Sequence, residues 1–329
     1  MTATVQNDPI TSVRRAAAFC IAALIVLFSG IATLAQDEGD VVRVETDLAS
    51  FEVTVTDKSG NPVKNLTAAD FRMFENGIER QIDFFEPIKK RDDGRPLSIV
   101  FALDVSGSMT TAELERLRDA MKNFTVRLAD YNSYFAVMSF AMDVKTLQSF
   151  TNRPDRLERT FGKLSRDQDG LSTHAYDAVD DAIRMLDRKS PKNVRGRVPK
   201  RAVILITDGF PVGDVVRPDT VIERANLAET SIYSVLLPSF SRLQGANRPV
   251  MTPLEASGLI EKTGGRSFYA TDRDFEPLFK ALAEEITSSY AMAFYPPEDI
   301  RLDNKFREVK IEARPGLIIR QNRAGYIPK

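Results

Sequence analysis

Several residue types are scarce in this chain of 329 residues, and their scarcity excludes whole classes of site. The chain has one cysteine, Cys20, one histidine, His174, and no tryptophan. A single cysteine excludes an intrachain disulfide and a zinc site built from several thiolates. Acidic and basic residues nearly cancel, 46 against 45, which argues against general nucleic-acid binding. The sequence also lacks a glycine-rich phosphate loop and a His-Glu-x-x-His motif, so nothing indicates nucleotide binding or zinc catalysis.

Residues 1–36 differ in composition from the rest of the chain. Arg14 and Arg15 precede an uncharged, mostly apolar stretch, residues 16–34, and this order is typical of an export signal. The stretch is long for a signal and could remain as a single membrane anchor, whereas the small residues of Ala32-Thr33-Leu34-Ala35 favour cleavage. We therefore expect an exported protein, periplasmic or secreted, or one anchored by this stretch. The lack of disulfides fits a bacterial envelope.

Residues 37–94 are predicted to form a β unit. Phe51, Val53 and Val55 alternate with polar residues, which is the period of a half-buried strand. Asn76-Gly77 lies between two apolar segments and predicts a tight hairpin.

Residues 95–290 show alternating strand and helix patterns. The apolar runs 97–103 and 202–206 predict parallel strands that are covered on both faces. Helical periodicity recurs between the strands, as in residues 113–128, and a further helix is predicted over 252–261. This alternation predicts an α/β fold with a doubly wound, mostly parallel, Rossmann-like sheet.

Residues 291–329 return to short strands separated by proline and glycine. About three strands precede the α/β unit and about three follow it, and neither set alone makes a stable sheet pair. We therefore predict that the C-terminal segment completes the N-terminal β unit, so that the α/β unit is inserted into one β-sandwich.

Three segments place oxygen-bearing side chains at one edge of the predicted sheet. Asp104, Ser106 and Ser108 follow the first apolar run, Asp208 follows the second, and Thr173 lies in a loop before a helix. Ligands of doubly wound sheets bind beyond the carboxyl ends of the strands, so these side chains are expected to converge. Carboxylate and hydroxyl oxygens suit Mg²⁺, Mn²⁺ or Ca²⁺.

This three-part pattern, with Thr207-Asp208-Gly209 as its third part, resembles the metal-ion-dependent adhesion site (MIDAS) of von Willebrand factor type A domains. The resemblance covers roughly residues 97–290. Where the family usually has Gly-Gly-Thr, this chain has Leu171-Ser172-Thr173. The flanking segments resemble the von Willebrand factor A-related proteins of acidobacteria, in these places: Val53-Thr54-Val55-Thr56-Asp57, Leu66-Thr67-Ala68-Ala69-Asp70-Phe71, Glu75-Asn76-Gly77 and Gly325-Tyr326.

The resemblance implies a divalent metal, usually Mg²⁺, with Mn²⁺ or Ca²⁺ as alternatives. By similarity, Ser106, Ser108 and Thr173 would contact the ion directly, and Asp104 and Asp208 largely through water. The ion would then accept an Asp or Glu carboxylate from a protein partner, which implies a binding or adhesion module without enzymatic activity.

Three other interpretations remain open at this point. Asp104 and the serines could simply cap the following helix or turn. A hydrolase would use Ser172 or Ser106 as nucleophile and His174 as base, although the Gly-x-Ser-x-Gly motif is missing. The chain could also be an accessory subunit of a larger envelope or chaperone-type complex.

Overall fold

The structure is a computed structural model that describes residues 48–90, 94–106, 110–165, 172–237, 251–270, 275–297 and 304–328. In chain order, its strands are β1 (Ala49–Asp57), β2 (Phe71–Glu75), β3 (Ile78–Arg80), β4 (Phe84–Pro87), β5 (Leu97–Asp104), β6 (Tyr134–Phe140), β7 (Val144–Thr151), β8 (Lys200–Thr207), β9 (Thr230–Leu236), β10 (Ser267–Tyr269), β11 (Ser289–Phe294), β12 (Arg307–Ala313), β13 (Leu317–Gln321) and β14 (Gly325–Tyr326). Its α-helices are α1 (Thr111–Arg127), α2 (Pro154–Gly162), α3 (Ala175–Lys189), α4 (Pro218–Leu227), α5 (Pro253–Ala256) and α6 (Glu276–Ile286).

The central sheet has six strands in the order β10-β9-β8-β5-β6-β7. All neighbours are parallel except β6 and β7, which confirms the predicted doubly wound, mostly parallel α/β fold. The antiparallel edge strand β7 was not predicted. Its side chains are mostly exposed or half-buried, so it lacks the apolar run by which the covered strands were recognised.

Helices cover both faces of the central sheet, and β5 contributes to both cores. Alternate residues such as Phe101 face α1, α2 and α6, while the intervening residues such as Val100 face α3 and α4. Phe101 lies against Phe124 of α1 at a ring-centre distance of 5.7 Å. Because every residue of β5 is buried, this strand is a firm support for the side chain at its end, Asp104.

The strands on the two sides of the α/β unit share two antiparallel sheets. One sheet has the order β13-β1-β11-β4 and the other has the order β14-β12-β2-β3. Their inner side chains form a third core, which includes Phe51, Met73 and Val309. The hairpin predicted at Asn76-Gly77 is confirmed, because β2 and β3 pair across it.

A buried ionic cluster joins this β-sandwich to the central sheet. Lys200 at the start of β8 is fully buried and forms a salt bridge with Glu52 of β1. The Lys200 ammonium also donates hydrogen bonds to Tyr233 at 3.3 Å and to Ser289 of β11 at 3.0 Å. Arg95 bonds the second carboxylate oxygen of Glu52 at 2.7 Å. Charged groups of the β-sandwich and the central sheet therefore meet where β8 begins, at the end of the central strands opposite to Asp104.

The helix predicted over 252–261 is shorter, because α5 ends at Ala256 and Gly258 takes a left-handed conformation with φ of +71°. Within the residues that the structure describes, none of the helices has the length and apolar character needed to cross a bilayer. The apolar stretch 16–34 lies outside the described residues.

Candidate metal centre

The candidate site lies where two neighbouring parallel strands end. Strands β5 and β8 pair directly, with Leu103 opposite Ile206, so their carboxyl ends are adjacent. Asp104 is the last residue of β5, and Asp208 follows directly after β8. The two carboxylates are close enough to interact, because the negative charge of Asp208 adds to the burial that raises the pKa of Asp104.

The carboxylate of Asp104 is buried and accepts hydrogen bonds from Ser106 and Thr207. One oxygen accepts from the backbone N–H of Ser106 at 3.0 Å, and the other accepts from the hydroxyl of Thr207 at 2.8 Å. Burial raises the pKa of Asp104, the charge of Asp208 adds to this effect, and the hydrogen bonds oppose it. A cation at this position would offset the two unfavourable effects on the charged carboxylate.

Two hydroxyl groups lie next to this carboxylate. The Thr173 hydroxyl donates to the Ser106 hydroxyl at 3.3 Å, although the two residues are 67 positions apart in the chain. Thr173 is held there by paired backbone hydrogen bonds with Val212, at 3.1 and 3.0 Å. The N–H of His174 also donates to the carbonyl of Ala141 after β6, at 3.1 Å. Loops after β6 and β8 thus position the threonine beside Ser106.

The loop after β8 is shaped around Asp208. Its carboxylate accepts from the N–H of Phe210 at 3.0 Å, which closes a tight turn. Gly209 within this turn has φ of +84°, and a Cβ there would lie 2.8 Å from the side chain of Thr252. A residue other than glycine would therefore be both strained and obstructed, and the turn would have to move away from α5.

The donor set fits a hard divalent cation. The structure brings together the oxygens of Asp104, Ser106 and Thr173, with Asp208 at the neighbouring strand end. Ser108, the fifth residue of the predicted set, lies outside the described residues. No group of three or more His, Cys, Asp or Glu side chains suited to a metal occurs in the described ranges, but such a count omits hydroxyl ligands. Carboxylates combined with hydroxyls are the oxygen chemistry that Mg²⁺ accepts.

A residue outside the predicted ligand set caps helix α1. Helix α1 begins with a capping box in which the Thr110 hydroxyl accepts from the N–H of Glu113 at 3.2 Å. The Glu113 carboxylate accepts from the N–H of Thr110 at 2.7 Å. The N-cap of α1 is therefore Thr110. Asp104 does cap the turn that follows it, through the N–H of Ser106, and it also accepts from the hydroxyl of Thr207.

Two supports of the site were not predicted from the sequence. Thr207 was treated only as part of a motif, yet its buried hydroxyl bonds Asp104 and also accepts from the N–H of Gly209 at 3.2 Å. Asp177 at the start of α3 accepts from the N–H groups of Val215 and Val216, at 3.1 and 2.8 Å. It thereby ties the loop after β8 to the helix that follows Thr173. The position of Thr207 next to Asp208 in the sequence could have indicated its role. No sequence signal indicated the role of Asp177.

His174 contacts a carboxylate near the site. Its Nδ1 lies 3.4 Å from Asp177. Among the residues that the structure describes, the hydrogen bonds of His174 include none to Ser106 or Ser172. The imidazole therefore lies beside Asp177, the carboxylate that holds the loop after β8.

A sequence profile described as the von Willebrand factor type A domain matches residues 98–279, more than half of the chain. The chain belongs to this family. Domains of the family bind a divalent metal at the MIDAS and interact with proteins there. Apart from Leu97, the matched range contains the central sheet from β5 to β10, together with Asp104, Ser106, Thr173 and Asp208.

Curated relatives include the inter-alpha-trypsin inhibitor heavy chain H3 of two mammals. The human protein is 28% identical over 215 residues, which are 63% of this chain and 23% of that protein. The bovine protein is 29% identical over 140 residues, which are 40% of this chain and 15% of that protein. The chain thus spans less than a quarter of the length of these relatives.

Similar solved structures come from a bacterium and a mussel. An aerotolerance-related membrane protein from Bacteroides fragilis is 20% identical with a TM-score of 0.45, over 58% of this chain and 98% of that chain. Proximal thread matrix protein 1 from the mussel byssus, with a zinc-occupied MIDAS motif, is 15% identical with a TM-score of 0.46, over 60% of this chain and 47% of that chain.

Proposed function

We propose that this chain is an exported protein-binding or adhesion module. Asp104, Ser106, Ser108, Thr173 and Asp208 would hold a divalent cation, with Mg²⁺ as the expected ion. The bound cation supplies an electron-poor centre that accepts an external carboxylate oxygen. The partner would be a protein that presents an Asp or Glu side chain, and the chain would have no catalytic activity of its own.

The observation that carries the proposal is the arrangement around Asp104. This carboxylate is fully buried, and the hydroxyls of Ser106 and Thr173 lie next to each other beside it. The carboxylate stays in place through the N–H of Ser106 and the hydroxyl of Thr207. Hydrogen bonds within the chain therefore orient these oxygen atoms, which lowers the conformational cost of binding a cation.

Thermal unfolding of the full chain tests the metal site. The melting temperature is measured in EDTA and then across titrations of Mg²⁺, Mn²⁺ and Ca²⁺. A ligand at about 100 times its Kd stabilises by roughly 2.7 kcal/mol, or about 5–10 °C for a domain of this size. Asp104→Ala should abolish this shift, whereas Asp219→Ala, which removes an exposed carboxylate on α4, should retain it.

An unchanged melting temperature at high concentrations of all three ions would contradict the proposed metal site. If the shift is found, an EDTA-sensitive pull-down tests whether partners bind through it. Cell fractionation tests export, because a cytosolic location would instead favour the accessory-subunit alternative. A hydrolytic activity that is lost in His174→Ala and kept in Asp104→Ala would contradict the absence of catalysis.

A further inference from the structure

A cleft lies between the β-sandwich and the central α/β unit, far from the candidate metal centre. Its volume is about 590 Å³, which is within the usual range for sites that bind small molecules. The loop after β1, the end of β4, Tyr131 and the start of β11 form its walls. Because Tyr131 lies just before β6 begins, the cleft is at the end of the parallel strands opposite to Asp104.

Apolar side chains form one part of the cleft. The rings of Phe85 and Tyr290 are stacked, with their centres 5.5 Å apart and their planes at 24°. Tyr290 is buried and Phe85 is half-buried, and the aliphatic side chains of Leu66 and Ile88 lie beside them in the wall. The flat or aliphatic body of a ligand would be removed from water by covering this surface.

The hydroxyl of Tyr290 fixes the loop after β1 at the cleft. It donates to the carbonyl of Val63 at 2.9 Å and accepts from the N–H of Leu66 at 3.3 Å. Between these two contacts, Asn65 has φ of +64°, a conformation that asparagine adopts more readily than most residues. The backbone on both sides of Lys64 is therefore held in a defined position.

The charged side chains of the cleft are all of one sign. The described residues that line it include Lys64, Lys89 and Lys90 and no aspartate or glutamate. The Lys64 ammonium donates to the buried hydroxyl of Thr287 at 3.4 Å, and the Lys90 ammonium lies 5.9 Å from the ring centre of Tyr131. Within the part of the chain that the structure describes, none of the three lysines forms an ion pair.

One acid outside the wall, Asp70, acts on the cleft but is already paired. Burial raises the pKa of Tyr290, and the negative charge of Asp70 adds to this effect. The Asp70 carboxylate forms a salt bridge with Arg314 at 3.2 Å and accepts from the N–H of Thr67 at 2.8 Å. The positive charge of the three lysines therefore stays available to an anion, which would gain charge-assisted hydrogen bonds from them.

We infer that this cleft binds a small organic anion, namely a carboxylate with an aromatic or aliphatic body. The ammonium groups of Lys64, Lys89 and Lys90 would bind the carboxylate, and the rings of Phe85 and Tyr290 would cover the body. Since both the β-sandwich and the α/β unit contribute to the walls, the ligand would bridge them. The cleft is separate from the candidate metal centre, so this binding needs no metal ion.

Fluorescence of 2-naphthoate tests the inference. The chain has no tryptophan, so the naphthyl group can be excited at wavelengths that tyrosine does not absorb. The full chain is titrated with 2-naphthoate in EDTA, and non-fluorescent compounds then compete for the bound probe. Cyclohexanecarboxylate should displace it. Cyclohexanecarboxamide lacks the charge, and acetate and inorganic phosphate lack the apolar body, so each should bind at least about tenfold more weakly than cyclohexanecarboxylate.

Substitutions of exposed lysines locate the probe without disturbing the core. Lys64→Gln and Lys90→Gln should each weaken 2-naphthoate binding by about three- to tenfold, and the double variant should weaken it further. Lys145→Gln is the matched control, because it removes an exposed lysine of β7 outside the cleft, and it should bind like the wild type. Phe85→Leu should also weaken binding, with the melting temperature measured to verify that this variant is folded.

The inference would be overturned if 2-naphthoate showed no saturable binding at millimolar concentrations, or if the amide competed as well as the carboxylate. Wild-type affinity in the double lysine variant would also overturn it. Binding that required Mg²⁺ would place the probe at the metal centre, which would refute this inference and support the proposed function. The melting-temperature test of the metal site uses no probe, so its failure would leave the cleft unaffected.

Discussion

Replacing Lys200 with methionine is expected to destabilise the protein by about 3 kcal/mol. Lys200 is fully buried, and all three protons of its ammonium have acceptors, on Glu52, Tyr233 and Ser289. Methionine has a similar length but no charge, so the substitution removes the cation while largely keeping the volume. The Glu52 carboxylate would remain in the interior with Arg95 as its remaining ionic partner.

The magnitude follows from the cost of an incompletely paired buried charge. Removing one partner of a buried ion pair typically costs about 3–5 kcal/mol, because the remaining charge has lost its water without an equal replacement. Arg95 still bonds Glu52 at 2.7 Å, so we expect the lower end of this range. The double variant Glu52→Gln/Lys200→Met should lose more stability than Lys200→Met, because the buried Arg95 then has no ionic partner at this position.

Urea unfolding measures these differences, with the midpoint and slope fitted for each variant. Lys310→Met is the matched control, because Lys310 pairs with Glu312 at 2.7 Å on the surface, with its side chain 70% exposed. Its loss should be much smaller, since exposed ion pairs contribute little. The reasoning would be refuted if Lys200→Met lost no more stability than Lys310→Met, or if the double variant were more stable than Lys200→Met.

The same cluster predicts a pH dependence. Burial alone would raise the pKa of Glu52, but the charges of Lys200 and Arg95 outweigh it and lower the pKa below its ordinary 4.5. The contribution of Glu52 is therefore present above pH 4.5 and is lost as the pH falls through its folded value. Burial alone would lower the pKa of Lys200, but Glu52 raises it above 10.5, so its contribution is present below pH 10.5 and lost as the pH rises through its folded value. The stability difference between wild type and Lys200→Met should accordingly be largest between these limits.

Three further substitutions test other parts of the structure. Thr207→Val should lower the free energy of unfolding, measured in urea, by about 1–3 kcal/mol, because the buried Asp104 carboxylate loses a hydrogen bond of 2.8 Å. The same substitution should weaken metal binding. Unchanged metal affinity would contradict the role of this hydroxyl. Gly209→Ala should cost about 1–3 kcal/mol, because φ is +84° and the new Cβ would lie 2.8 Å from Thr252; a neutral effect in calorimetry would show that the turn relaxes freely. Phe124→Ala should cost about 3–5 kcal/mol by calorimetry, since its ring is buried within the core under α1, and a loss below about 1 kcal/mol would mean that the core closes over the cavity.

Local patterns were sufficient to predict the buried strands and their turns. The apolar runs at 97–103 and 202–206 predicted strands covered on both faces, and β5 and β8 occupy them. This succeeded because a parallel strand buried on two sides needs apolar residues at every position. The edge strand β7 was not predicted, because its exposed side tolerates polar residues and its sequence therefore has no continuous apolar run.

The candidate site divides in a similar way between sequence and structure. A strand followed by Asp104, and another followed by Asp208, could be recognised from residue order alone. The bond from Thr207 to Asp104 requires that β5 and β8 be neighbours, and the contact of Thr173 with Ser106 requires the backbone pairing with Val212. Residue order predicted that these segments converge, but it carries no signal for which individual hydrogen bonds form between residues 67 and 103 positions apart.

The sequence by itself determined the class of the fold and the chemical type of the candidate ligands, because the hydrophobic period and residue identity are local properties. Only the tertiary structure decided which strands pair across long distances. Strand β1 lies between β11 and β13, and Glu52 of β1 meets Lys200, 148 positions away, inside the protein. The physical reason is that periodicity indicates which face of a segment is buried, whereas the partner that buries it depends on how all the segments pack together.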